Sequence, residues 1–284
     1  MEVTAVVVTY NRLEFLKECI SSLQQQEAEN FNILVVDNKS TDGTREYLNT
    51  LSDTDVQLLF LEENMGGAGG FYYGIQKALE DGTDAVWIMD DDTIPQKDAL
   101  KKLLEADRLL HHDYGYLASD VRWVDGKACE MNRVHVIKKD TATYDRIDIA
   151  SFVSLLIPAE RIQQVGLPIK EYFIWGDDKE YTLRISDRWP CYFVPQSRVV
   201  HKMKTNVGSN ICTDEITRVQ RYFYAYRNDY ATAKKRGIKS LALYNAGFYL
   251  NMFRVLFKAK DHKIKRLDVM IRGRREGKNF LRKE

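Results

Sequence analysis

The chain has 284 residues, of which 44% are hydrophobic and 29% are charged. This length and apolar content are enough to bury a large core, which excludes a disordered or fibrous chain. The 42 basic and 41 acidic residues nearly cancel, so the net charge does not indicate nucleic acid as a partner. The four cysteines lack CxxC spacing, and we expect reduced thiols rather than disulfides or a zinc site. We expect no signal peptide and no membrane span, and therefore a cytoplasmic protein.

The first hundred residues alternate between strand-like apolar runs and segments with helical spacing. The predicted strands are 3–9, 31–36, 56–61 and 85–89, and the predicted helices are 13–25, 44–51 and 71–79. Strands that alternate with helices in this way form a parallel sheet covered by helices. The fold class is therefore predicted to be α/β, with a mainly parallel sheet flanked by helices.

The remaining chain changes character near residue 206. Residues 114–195 mix strand-like pieces, at 147–158 and 191–195, with a predicted helix at 177–186. From 213 onward the pattern is helical and rich in tyrosine and phenylalanine. We predict two domains, a catalytic domain at 1–205 and a helical, aromatic and basic C-terminal region at 206–284.

Three consecutive aspartates, Asp90, Asp91 and Asp92, directly follow the apolar run 85–89. Three carboxylates at the end of a buried strand are costly unless a cation neutralises them. Oxygen ligands of this kind suit Mg²⁺ or Mn²⁺, which could also carry a diphosphate. The alternative is a solvated acidic turn that caps a helix starting at 93–95. The residues alone leave both interpretations open.

Residues 66–70 read Gly-Gly-Ala-Gly-Gly and precede the predicted helix at 71–79. Glycines let the backbone approach a ligand closely, and a helix N-terminus favours an anion. Gly66, Gly67 and Gly69 are therefore candidate phosphate contacts in a predicted loop. The segment lacks the Gly-Lys-Ser/Thr of nucleoside-triphosphate loops and the GxGxxG of dinucleotide sites. A plain tight turn is the alternative.

A second acidic cluster follows Trp175 and comprises Asp177, Asp178 and Glu180. At the start of the predicted helix 177–186, these carboxylates would be stabilised by the helix dipole, which is a purely structural explanation. The functional explanation is a general base that deprotonates a sugar hydroxyl.

Polar side chains also gather where the predicted strands end. In such sheets ligands bind beyond the carboxyl ends of the strands. The polar set is Thr9, Tyr10, Asn11, Asp37 and Asn64, together with the three aspartates at 90–92. A carboxylate at Asp37 suits a ribose or a base, although an Asx turn explains it as well. His201 follows another strand-like run, where it is either structural or a further ligand to a metal held by the aspartates.

The basic residues are concentrated at the C-terminal end. Residues 258–284 hold eleven Lys and Arg against four Asp and Glu, and the apolar residues of 252–257 lie just before them. An apolar patch that runs into a basic tail fits peripheral contact with an anionic membrane. A solvated tail or a basic helix face is the equal alternative.

Segments 6–12 and 35–44, together with the three aspartates, resemble the inverting family 2 glycosyltransferases, which have a Rossmann-like GT-A fold. The resemblance covers residues 1–205. Residues 64–71, the Trp-Gly-Asp-Asp run at 175–178 and His201 look like the galactofuranosyltransferase branch. Residues 224–228, Tyr-Ala-Tyr-Arg-Asn, resemble a motif that this branch shares with bacterial rhamnosyltransferases.

The resemblance implies roles for the metal and acceptor residues. Asp92 would ligate Mn²⁺ or Mg²⁺ directly, Asp90 would serve the metal and the diphosphate, and His201 would complete the metal site. Asp178 would be the catalytic base. Trp175 and Asp177 would shape the acceptor pocket. Lys179 and Glu180 after the acid pair depart from the family pattern, which leaves open whether Asp177 or Glu180 shares the acceptor contacts.

The resemblance also implies a nucleotide-sugar donor, with Thr9 and Asp37 holding its nucleoside. The further donor contacts that we predict are Asn11, Arg12, Asn64, Gly66, Gly67, Gly69, Asp90 and Asp91. UDP-galactofuranose is the favoured donor and dTDP-rhamnose the alternative. The acceptor would be a cell-surface glycan or a lipid-linked hydroxyl, and a homo-oligomer is left open.

Two other function classes compete with this interpretation. A nucleotidyltransferase that makes nucleotide sugars would carry a glycine-rich loop after the first strand, where this chain has Tyr10, Asn11 and Arg12. A non-catalytic assembly protein at the membrane surface would not need the full set of acidic residues.

Overall fold

Strand β1 (Val3–Thr9) is buried along its whole length. Val3 and Val7 belong to one apolar core, and Val6 and Val8 belong to another. Because successive side chains point to opposite faces of a strand, β1 needs apolar neighbours on both faces of its sheet. Helices therefore cover the sheet on both sides.

The computed structural model describes residues 1–28, 31–51, 55–139 and 144–280. The other strands within these residues are β2 (Phe31–Asp37), β3 (Val56–Phe60), β4 (Ala85–Asp90), β5 (Thr93–Pro95), β6 (Leu117–Arg122), β7 (His135–Lys138), β8 (Asp145–Ile149), β9 (Leu155–Pro158) and β10 (Cys191–His201). The α-helices are α1 (Leu13–Gln24), α2 (Thr44–Asn49), α3 (Gly66–Glu80), α4 (Ala99–Leu109), α5 (Ala159–Val165), α6 (Asp177–Ser186), α7 (Ile216–Val219), α8 (Tyr222–Lys235), α9 (Ile238–Lys258) and α10 (Lys263–Gly277). Short 3₁₀ turns are Glu130–Asn132 and Lys170–Tyr172.

All ten strands form one sheet in the order β3-β2-β1-β4-β9-β6-β10-β8-β7, and β5 pairs with β10. The four strands β3, β2, β1 and β4 are parallel. Strand β9 then runs antiparallel to both β4 and β6, and β6 is parallel to β10. The predicted α/β class, with a mainly parallel sheet between helices, is confirmed.

Several predicted boundaries are wrong, each for a local reason. Residues 93–95, a helix start only in the alternative interpretation of the aspartates, form a strand that pairs with β10, and α4 begins at Ala99. The predicted strand 191–195 continues to His201, after a register shift between Val194 and Arg198. The strand-like stretch 147–158 is divided between two strands, β8 and β9.

The predicted glycine loop at 66–70 is also wrong, because these residues form the first turns of α3. A Cβ on Gly74, one turn further along, would lie 2.5 Å from Val6 Cγ1 and 2.8 Å from Val36 Cγ2. The glycines therefore let α3 lie directly on β1 and β2, and this packing outweighs their low helix propensity.

The chain forms two compact units. Unit 1 comprises Met1–Glu171 and Tyr181–Val207, and unit 2 comprises Tyr172–Glu180 and Gly208–Glu284. Unit 2 thus includes residues 172–180, which the predicted division at 205/206 had assigned to the catalytic domain.

Unit 2 has its own apolar core between α8, α9 and α10. Tyr226, Phe248 and Val255 belong to this core. Arg266 is buried and donates to the carbonyl oxygens of Ile211, at 2.7 Å, and Asp214, at 2.9 Å. Within the described part of the chain, no helix is both long and apolar enough to span a membrane.

Gly74→Ala should lower the free energy of unfolding by about 1–2 kcal/mol, because overpacking against two buried valines outweighs the gain in helix propensity. Gly67→Ala is the matched control on the same helix, since a Cβ there meets nothing within 4 Å. Urea unfolding of both variants measures the difference. Equal stability of the two would contradict the close approach of α3 to the sheet.

Candidate active site

The register of the parallel strands brings three polar strand ends together in unit 1. Thr9 lies opposite Asp37, and Val8 lies opposite Asp90. The Thr9 hydroxyl donates to Asp91 Oδ2 at 2.7 Å. Both Thr9 and Asp91 are buried, so this hydrogen bond joins the ends of β1 and β4 in an environment of low dielectric constant.

A second pairing brings His201 to the same aspartates. Thr93 of β5 lies opposite His201 of β10, and the N–H of Lys202 donates to the Asp92 carbonyl at 2.9 Å. His201 Nε2 consequently lies 3.0 Å from Asp92 Oδ1. Asp90, Asp92 and His201 each offer one ligand atom, and these atoms all lie within 4.8 Å of one another.

The protonation of His201 is set by Asn132. Asn132 Oδ1 lies 2.7 Å from His201 Nδ1, and Asn132 Nδ2 donates to Ser151 Oγ at 2.8 Å. Because a carboxamide oxygen only accepts, Nδ1 carries a proton and Nε2 faces the carboxylates. Metal-bound histidines are oriented by such a hydrogen bond on the other ring nitrogen. The donor set of two carboxylates and one imidazole therefore fits Mn²⁺ or Mg²⁺. Sequence reasoning missed Asn132, since nothing in the irregular segment around it indicates this role.

The carboxylates are only partly neutralised by the protein. Arg12 Nη1 bonds to Asp92 and lies 3.4 Å from Asp91 Oδ1. Burial raises the pKa of Asp91 to about 7, although Arg12 opposes this shift. Burial also raises the pKa of Asp90, and the charge of Asp92 adds to the effect. The cluster therefore favours a further cation or a proton.

Asp92 and His201 hold each other in their charged forms. Burial alone would raise the pKa of Asp92, but the hydrogen bond and charge of His201, together with Arg12, lower it. Burial alone would lower the pKa of His201, but the hydrogen bond to Asp92 raises it. A divalent cation at this position would displace the proton on Nε2.

The predicted nucleoside contact Asp37 is the last residue of β2, and it contacts the turn that follows. Asp37 accepts from Arg45 Nε at 2.8 Å and from the Ser40 N–H at 3.1 Å. The Asx turn considered for Asp37 is therefore present, and both carboxylate oxygens have partners within the protein. Asn11, with a left-handed φ of 53°, accepts from the Thr41 N–H at 2.7 Å.

The start of α3 is held by two asparagines. Asn64 Oδ1 accepts from the Gly66 N–H at 2.8 Å. Asn38 accepts from the Met65 N–H at 2.8 Å and donates to the Gly66 carbonyl at 2.7 Å. Gly67 and Gly69 follow in the same first turns of α3. Asn38 had not been predicted, although it stands beside Asp37 in the motif at 35–44.

The second acidic cluster lies in unit 2, at the N-terminus of α6. Asp177 and Glu180 are buried, and Asp178 accepts from the Lys179 N–H at 2.7 Å. Lys179 Nζ donates to Asp229 at 2.8 Å. Burial raises the pKa of Asp178 to about 6, and the charge of Asp229 adds to the shift. A carboxylate with this pKa suits a general base near neutral pH.

The segment before this cluster has an unusual backbone that α8 stabilises. Phe173, Trp175 and Gly176 have left-handed φ values of 63°, 64° and 87°. The buried Asn228 side chain donates to the carbonyls of Tyr172, at 2.9 Å, and Trp175, at 2.7 Å. The motif at 224–228 had no predicted role. Through Asn228, it holds the backbone that leads to Asp177 and Asp178.

Comparison with known proteins shows the family of the chain. The family described as Glycosyl transferase family 2 matches residues 4–147. The chain is 27% identical to galactofuranosyltransferase GlfT1 of Mycolicibacterium smegmatis, over 84% of this chain and 85% of that protein. It is 26% identical to the dTDP-rhamnosyl transferase RfbF of Shigella flexneri, over 84% of this chain and 81% of that protein.

A solved structure shows the same fold. The crystal structure of GalNAc-T7 with UDP, GalNAc and Mn²⁺ superposes with a TM-score of 0.63 at 17% identity. The superposition covers 93% of this chain and 56% of that one. The chain belongs to glycosyltransferase family 2, and its fold is GT-A with a helical C-terminal extension.

Replacing ligand and supporting residues should weaken Mn²⁺ binding in a graded way. Asn132→Ala should weaken it about 10–100-fold, the usual effect of removing a partner of a ligand, and Asp92→Ala should weaken it further. Asp113→Ala, at an aspartate that is 79% exposed, is the control and should bind like the wild type. Calorimetric titration of Mn²⁺, with and without UDP, measures the series. Wild-type affinity in Asp92→Ala would rule out this metal site.

Proposed function

We propose that this protein is an inverting, metal-dependent hexosyltransferase. It would move a sugar from a nucleotide-sugar donor to a hydroxyl of a cell-surface glycan or lipid-linked acceptor. The observation that supports the proposal is the group of the half-buried Asp90 and the buried Asp92 and His201, in which two carboxylates and an oriented Nε2 converge. Membership of glycosyltransferase family 2 supports the reaction class.

The residues of unit 1 would bind the donor. Asp92, His201 and Asp90 would hold Mn²⁺ or Mg²⁺, which when bound would neutralise the charge of the leaving nucleoside diphosphate. Thr9 keeps Asp91 in place through its hydrogen bond. Arg12, whose side chain is 45% exposed, can turn from the carboxylates towards a phosphate.

Asp178 is the base in this proposal. The acceptor hydroxyl transfers its proton to the carboxylate, and its oxygen attacks the anomeric carbon of the donor. The bond between that carbon and the diphosphate oxygen breaks on the opposite face, so the configuration inverts. Trp175, Asp177 and Glu180, which neighbour Asp178 in the chain, would contact the acceptor.

UDP-galactofuranose is the favoured donor and dTDP-rhamnose the alternative. The similarity to GlfT1, named a galactofuranosyltransferase, supports the first, and the similarity to RfbF, named a dTDP-rhamnosyl transferase, supports the second. The product would enter a bacterial surface polysaccharide such as an O-antigen. A cytoplasmic location, a homo-oligomeric state and contact with the membrane surface complete the proposal.

A donor screen tests the proposed reaction. UDP-galactofuranose, dTDP-rhamnose and UDP-GlcNAc are each incubated with Mn²⁺ or Mg²⁺ and a glycan acceptor, and release of UDP or dTDP is measured. We expect metal-dependent release from UDP-galactofuranose. Release from dTDP-rhamnose alone would assign the alternative donor, and no release from any donor would favour a non-catalytic protein.

Asp178→Asn should lower kcat by about 10²–10⁴-fold, because the amide cannot accept the hydroxyl proton. Donor affinity should stay close to that of the wild type, since the change leaves the residues of unit 1 intact. Turnover assays with the donor found in the screen, together with UDP titrations, separate the two effects. Asp113→Asn is the control, and normal turnover in Asp178→Asn would refute the base assignment.

The pH profile should report the ionisation of Asp178. A base acts in its deprotonated form, so kcat/KM should fall as the pH drops below about 6. Asp229→Asn removes a charge that raises this pKa and frees Lys179, which lowers it. The acidic limb of the profile should therefore move to lower pH, whereas Asp113→Asn should leave it in place. A shift to higher pH in Asp229→Asn would contradict the assignment.

A further inference from the structure

Helix α9 is apolar on two opposite faces. Its inner face contributes Phe248 and Val255 to the core of unit 2. Its outer face consists of residues at alternating spacings of three and four, which align along one side of a helix. These residues are Leu243, Ala246, Leu250, Phe253 and Phe257.

The outer face is highly exposed for an apolar surface. Leu243 is 76% exposed, Phe253 is 59% exposed and Phe257 is 70% exposed. The Phe253 and Phe257 rings lie 4.3 Å apart between centroids, and Tyr249 and Leu256 extend the patch to one side. A contiguous apolar and aromatic surface of this kind marks an interaction site, because water solvates it poorly.

The charge on α9 itself has a single sign, and Asp261, just after the helix, is paired with Arg266. Residues 238–260 contain four cations and not one Asp or Glu. Arg254 and Lys258 stand on α9 beside the apolar stripe, and Lys260 and Lys263 follow it in the chain. All four of these side chains are exposed. The partner of this surface should therefore be apolar at its centre and anionic at its margin.

We propose that the outer face of α9 binds the surface of an anionic lipid bilayer. The helix would lie in the plane of the membrane, with Leu250, Phe253 and Phe257 among the acyl chains and Arg254 and Lys258 at the headgroups. This orientation uses both the exposed apolar residues and the positive margin. The proposal places the contact on α9 rather than on the basic tail that follows it, whose last residues, 281–284, lie outside the described residues.

A second copy of the chain fits the outer face less well. A symmetric pair of α9 helices would place the same patch on both sides of the interface. Residues 238–260 of a second copy would supply no acidic partner for Arg254 and Lys258. The charge complementarity therefore favours lipid phosphate over self-association. The proposal rests on the membrane contact included in the proposed function and assigns it to α9. It is independent of which sugar the protein transfers, because it concerns only residues of unit 2 outside the proposed reaction.

Vesicle co-sedimentation of the full chain tests the proposal. Vesicles of phosphatidylcholine alone are compared with vesicles that also contain phosphatidylglycerol, at low and high salt. We expect binding to the anionic vesicles that weakens with salt. The double variant Phe253→Ser, Phe257→Ser should bind more than about tenfold more weakly. The double variant Arg254→Gln, Lys258→Gln should lose about fivefold for each cation removed.

The matched control is Leu109→Ser with Val124→Ser, which removes two exposed apolar side chains from unit 1. It should bind vesicles like the wild type, and circular dichroism verifies that every variant is folded. Wild-type vesicle binding by the Phe253→Ser, Phe257→Ser variant would overturn the proposal. A wild-type dimer in light scattering that this variant dissociates, without any vesicle binding, would instead assign the face to a second copy.

Discussion

The neutralisation of the three carboxylates at the end of β4 is the constraint on which the site depends. Asp90, Asp91 and Asp92 crowd negative charge at the end of a strand that is buried on both faces. Thr9 of β1 donates a hydrogen bond to these carboxylates. Arg12, in the turn after β1, and His201, at the end of β10, form ion pairs with them. Burial still raises the pKa values of Asp90 and Asp91. The excess negative charge costs folding free energy, and it also makes the cluster suitable for a divalent cation.

Pairing between strands brings Asp90, Asp92 and His201 together. The short strand β5 turns the chain back immediately after Asp92 and pairs with the end of β10. His201 therefore arrives beside a carboxylate that is more than a hundred residues away in sequence. Asn132 then determines which ring nitrogen faces the site. In unit 2, Asn228 acts on the backbone in a comparable way, since it holds the left-handed turn that precedes Asp177 and Asp178.

The N-terminal strands and helix α9 differ in how much of their apolar surface is buried. The central N-terminal strands β1 and β4 are covered on both faces, so functional polar side chains can be placed only at their carboxyl ends. Helix α9 has the opposite character, because one apolar face completes the core of unit 2 and the other remains exposed. A reaction that joins a water-soluble donor to a glycan built on lipid would use both features.

Local periodicity and contiguous motifs were enough to predict the alternation of strands and helices over the first hundred residues, the acidic clusters and the family. The sequence also predicted α6 as 177–186, which the structure confirms. The predicted loop at 66–70 was wrong, because packing against the sheet overrides the low helix propensity of glycine. The resemblance had placed His201 with Asp92, but the pairing of β5 with β10 that joins them, the orientation of His201 by Asn132 and the exposure of one face of α9 appear only in the folded chain. These facts depend on contacts between residues far apart in the chain, and no local pattern encodes such contacts.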